Sequence, residues 1–80
     1  MRSAEYDRKT LVDLDAATIV DGLQGPLARN VDPRLITPAF GEALRADGLD
    51  PEYPMTVRRA APPFYVFEQP DREAEEFAVL

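Results

Sequence analysis

The sequence predicts a mainly α domain: three to four short helices with one extended aromatic segment and room for a two-stranded β element. Three observations predict it. Apolar residues recur at helical spacing over residues 16–27. Thr37-Pro38 caps a second apolar stripe that ends at Gly48. Pro62 to Pro70 encloses Phe64-Tyr65-Val66-Phe67, three of the seven aromatic residues in four positions. Proline fixes φ and removes donors, so that last run is extended.

Taken in order, Met1 to Lys9 is mixed in charge and does not lead into an apolar segment. Residues 9–14, Lys-Thr-Leu-Val-Asp-Leu, fit a short strand or a lead-in to the first helix. Asp15 reads as that helix's N-cap, with Leu14 and Ile19 as a hydrophobic staple. Ala16, Ile19, Val20, Leu23 and Leu27 form its apolar face. Gly22, Gly25 and Pro26 limit it to roughly three turns.

Asp32-Pro33 starts at most one turn, because Pro38 interrupts it. Pro38 to Asp47 is the best-signalled helix, with Phe40, Ala43 and Leu44 on one face. Gly48 then suits a left-handed C′ position, and Leu49 can fold back on Leu44. Asp50 to Ala61 stays open. As a helix it is capped by Asp50 and aligns Tyr53, Val57, Ala60 and Ala61. As a strand, Met55 to Arg59 hairpins onto Phe64 to Glu68. Ala60-Ala61 and a double proline unsuited to a tight turn tip the balance to helix. Beyond the aromatic run, Pro70 or Asp71 starts a short acidic C-terminal helix with Ala74, Phe77 and Ala78 on its apolar face. The whole of 1–80 reads as one small domain.

Eighty residues bury only about 60% of their unfolded surface. Eleven of the apolar residues are alanine, so the core is modest. No cysteine is present, which fits a reducing compartment and removes disulfides and thiolate metal sites. With no membrane-length apolar run, the expected location is the cytoplasm and no membrane partner is expected. The net charge of −6 concentrates between Glu68 and Glu76, which carries five acids against one arginine. That balance disfavours nucleic acid.

Histidine is also absent, so imidazole bases and nucleophilic triads are excluded by inventory. Asp13, Asp15 and Asp21 lack calcium-loop spacing, and Asp47, Asp50 and Glu52 are accounted for by a helix end and a cap. The sequence therefore assigns no catalytic residue, metal or cofactor. Two readings stand for the aromatic run. It is a central strand of this domain, or one face of it docks on another chain, because it is large for an alanine-rich core.

The second reading makes the chain a non-catalytic interaction module, an accessory subunit or regulator of a larger protein complex. Phe64, Tyr65, Phe67, Phe77 and Leu80 would be its contacts, flanked by Arg58 and Arg59. A homo-oligomer stays open. The alternatives are a winged-helix-like transcriptional or antitoxin-type regulator and an acidic inhibitor of a basic surface. A winged helix would have to read DNA with Pro38 to Asp47, where Arg45 faces Glu42 and Asp47.

Overall fold

A strand without a polar face needs partners on both edges and cover on at least one side, and Phe64 to Gln69 obtains both. The computed structural model describes residues 2–70 apart from 22 and 24–26. Its elements are strand β1 (Arg2–Asp7), helix α1 (Arg8–Asp13), a 3-10 turn (Ala17–Val20), strand β2 (Arg29–Asn30), a second 3-10 turn (Pro33–Leu35), helix α2 (Pro38–Ala46), strand β3 (Thr56–Arg59) and strand β4 (Phe64–Gln69). The four strands form one antiparallel sheet in the order β1-β4-β3-β2. The expected mainly α architecture is therefore wrong, and the domain is α+β.

Three misreadings produced that error. The first is the segment 50–61, which supplies β3 and not a helix. Thr56 pairs with Glu68 and Arg59 with Tyr65 across the hairpin. Alanine's helix preference is worth only tenths of a kcal/mol per residue, whereas each orphaned N–H or C=O on a buried edge costs about 1–3 kcal/mol. Pairing wins. The double proline does not obstruct it, because the connection is a longer loop and needs no residue at positive φ. Ala60 N–H donates to Phe64 O and Phe64 N–H to Ala61 O, both at 3.0 Å; the Pro62–Pro63 peptide is cis.

The second misreading concerns β1. Its mixed-charge sequence shows only Ala4 and Tyr6 to the core, yet it pairs with β4 along its full length, from Arg2↔Gln69 to Asp7↔Phe64. The third concerns Asp15. Asp7, not Asp15, caps the first helix, accepting from Thr10 N–H at 2.7 Å. Asp15 closes that helix from the other end with φ 57°. Asp15 N–H donates to Val12 O and Ala16 N–H to Leu11 O, the paired bonds of a Schellman ending. Among the described residues a 3-10 turn follows where a helix of roughly three turns was expected.

Helix α2 forms as its sequence implies. Thr37 Oγ1 accepts from Phe40 N–H, and its hydroxyl donates to Leu14 O. Gly48 takes φ 87°, and Leu49 N–H donates to Leu44 O at 2.9 Å. The turn at Asp32-Pro33 is likewise present as the second 3-10 element.

Pleating sorts β4 by parity. Tyr65, Phe67 and Gln69 share the core face with Ala4, Tyr6 and Val57, while Phe64, Val66 and Glu68 share the opposite face with Glu5 and Arg58. Phe40 of α2 meets Tyr6 and Phe67 edge-to-face, the three ring centroids 5.2–5.9 Å apart. Leu11, Leu23, Leu44, Leu49, Met55 and Val57 complete the buried cluster. Gln69, the buried polar side chain, accepts from Asp50 N–H and donates to Asp50 O and Tyr53 O, tying the 50–53 turn to the end of β4. The expected C-terminal helix lies outside the described residues. Among the described residues no helix is long and apolar enough to cross a membrane.

Three substitutions test this arrangement by urea denaturation. Phe67→Ala removes a fully buried ring and should cost about 3–5 kcal/mol, while Phe64→Ala at the 38%-exposed neighbour of the opposite face should cost under about 1 kcal/mol. Asp15→Gly relieves a left-handed residue and should raise stability by about 0.5–1 kcal/mol.

Candidate functional site

The β3–β4 hairpin carries Arg59 and Tyr65 as a cross-strand pair and Phe64 at the start of β4. Strand β1 ends beside it, so α1 begins against the hairpin loop, and Arg8 N–H donates to Pro63 O at 3.0 Å. The result is a cleft of about 190 Å³ lined by Arg8, Arg59, Pro62, Pro63, Phe64 and Tyr65. Arg59 Nη2 donates to Leu23 O at 2.9 Å, which orients that guanidinium. Among the described residues neither Arg8 nor Arg59 joins an ion pair. The ion pairs there are Arg34–Asp32 and Arg58–Glu68.

Asp7 stands opposite Phe64 in the ladder. Its carboxylate is committed to α1: hydrogen bonding to Thr10 holds it below the usual carboxylate range. The corner thus presents two cationic side chains, two aromatic rings and two prolines, with no acid among its lining residues.

The sequence-predicted contacts divide. Arg59, Phe64 and Tyr65 come together in this cleft. Arg58 shares the outer sheet face with Phe64 but is paired there with Glu68 at 2.6 Å and does not line the cleft. Phe67 sits in the core at 0% exposure. Phe77 and Leu80 lie outside the described residues. Arg8 was missed, since only the long-range pairing of β1 brings it to the hairpin, and no local pattern announces that pairing.

Three larger depressions, about 350, 330 and 240 Å³, lie away from this corner, and the first two share Asn30, Pro54 and Met55. Each contains one acid, Glu52 or Glu68, and Glu68 is already bound to Arg58. They are larger but chemically plainer than the arginine–aromatic cleft. Three of the six acids weighed as cation ligands have structural roles: Asp15 ends α1, Asp47 accepts from Tyr6 Oη, and Asp50 accepts from Glu52 N–H. No match to this chain is found among protein-family models, curated proteins or solved structures.

Burial, reinforced by the hydrogen bond to Asp47, raises the Tyr6 phenol well above its ordinary pKa. Above about pH 10 the unfolded chain loses this proton while the folded chain keeps it. Stability conferred by the protonated phenol is therefore complete below pH 10 and declines as pH rises toward the folded-state value. Melting temperatures between pH 8 and about 11 should fall more steeply in the parent protein than in Tyr6→Phe.

Proposed function

We propose that this chain is a non-catalytic protein-binding module, an accessory subunit or regulator of a larger complex in the cytoplasm. Its contact surface is the corner formed by Arg59, Phe64 and Tyr65, completed by Arg8. One observation carries the reading: an arginine pair without ion-pair partners among the described residues borders Phe64, which is 38% exposed, and a half-buried tyrosine. Aromatic residues and arginine are the types enriched at protein interfaces and at their energetic centres.

The reading narrows the sequence expectation in a definite way. Both edges of the aromatic strand are paired within the domain, so β4 does not dock by adding to another sheet. Phe67 contributes by holding the scaffold, and the contact falls to the residues at the hairpin end. The absence of histidine and cysteine supports a binding role over nucleophilic or imidazole chemistry.

Site-specific photo-crosslinking tests it. Benzoylphenylalanine in place of Phe64 should give a discrete adduct in lysate of the source cells, and the same residue in place of exposed Glu42 on α2 should not. Equal labelling from both positions, or none from position 64, would remove the corner as the contact surface.

A further inference from the structure

The corner is a basic spot on an acidic chain. The protein carries a net charge of −6, yet the six residues lining this cleft contribute two arginines and no carboxylate. Its volume of about 190 Å³ lies below the roughly 300–1,000 Å³ of small-molecule pockets, which suits one or two side chains of a bound segment. A guanidinium offers five donors in a planar fork. Arg59 spends one on Leu23 O, and no hydrogen bond of the Arg8 side chain is formed among the described residues. Pro62 and Pro63 form the stiff rim, so little loop ordering is needed on binding.

Resting on the binding-module reading, we propose that the partner presents an acidic segment to this cleft. Its glutamate or aspartate carboxylates engage Arg8 and Arg59, and a neighbouring apolar side chain covers Phe64. Paired carboxylate–guanidinium contacts supply direction, and the rings supply apolar area. A nucleic acid fits less well. It brings a dense row of phosphates toward a chain that is acidic overall, and two arginines neutralise few of them.

The test uses the full chain and a fluorescein-labelled peptide rich in glutamate with one phenylalanine, beside its glutamine counterpart and an oligothymidylate. Anisotropy titration at low salt should show binding of the glutamate peptide alone, weakening toward about 0.15 M salt. Arg8→Glu and Arg59→Glu should each lower the affinity about tenfold. Arg34→Glu, away from the cleft, should leave it unchanged.

Arg8→Glu keeps the test valid if Arg59→Glu disturbs folding through the lost Leu23 contact, because the Arg8 side chain secures no other element. Equal binding of the glutamine peptide, indifference to both reversals, or arginine-dependent binding of the oligothymidylate alone would overturn the proposal. Crosslinking from position 64 separates the two readings. An adduct that survives both reversals refutes the acidic partner and leaves the binding module standing, whereas loss of any adduct in the parent protein refutes the module itself.

Discussion

The edge-to-face cluster of Tyr6, Phe40 and Phe67 is the constraint on which the other features depend. Each ring comes from a different element: β1, α2 and β4. Aromatic pairs at these distances contribute about 0.5–1.5 kcal/mol beyond their buried area, and here the pairing also sets the topology. Tyr6 makes the link explicit. Its ring packs under α2 while its hydroxyl donates to Asp47, the residue that ends that helix. With β1 held in this way against β4, Arg8 has one place to go, beside the hairpin loop.

The candidate site is therefore a by-product of the core, held by it at a distance of a few residues. The carbonyl of Pro63 receives the first N–H of α1, and Arg59 is steadied by the carbonyl of Leu23. The two carbonyls differ in setting: Leu23 is buried, whereas Pro63 lies on the exposed hairpin loop. The Arg59 guanidinium, held by the Leu23 carbonyl, loses less freedom on binding than it would on an unsupported loop.

Local features of the fold were legible and distant ones were not. Helix α2 could be read from Thr37 to Leu49 because its cap, stripe and Schellman ending all lie within thirteen residues of sequence. Asp15 was misleading because an aspartate serves at two different helix ends. It caps an N-terminus readily, and it also tolerates the left-handed C′ position, so residue type alone does not say which helix it belongs to. Strand β1 was invisible because only two of its residues face the core, too few to outweigh three charged positions. The choice at Asp50 to Ala61 was settled by β4's demand for a second partner, a tertiary requirement that no propensity sum contains. The site inherits this division: Arg59, Phe64 and Tyr65 belong to one hairpin, and Arg8 comes from another part of the chain.

Inward- and outward-facing residues alternate along β4, and the contact residues Phe64 and Tyr65 are one of each, which makes the register of that strand a functional quantity. A slip of one residue would carry Phe67 and Tyr65 to the outer face and bring Phe64, Val66 and Glu68 inward. It would bury a carboxylate, and it would dissolve the arginine–aromatic corner in the same step. Gln69 opposes such a slip. Its amide is spent on three backbone groups of the 50–53 turn, and a displacement by one position would leave all three without this partner, in a part-buried setting where each costs about 1–3 kcal/mol. The far end of the strand is thus clamped by a side chain that touches nothing in the cleft. Because β4 is continuous between them, the clamp at Gln69 also fixes where Phe64 and Tyr65 stand relative to Arg8.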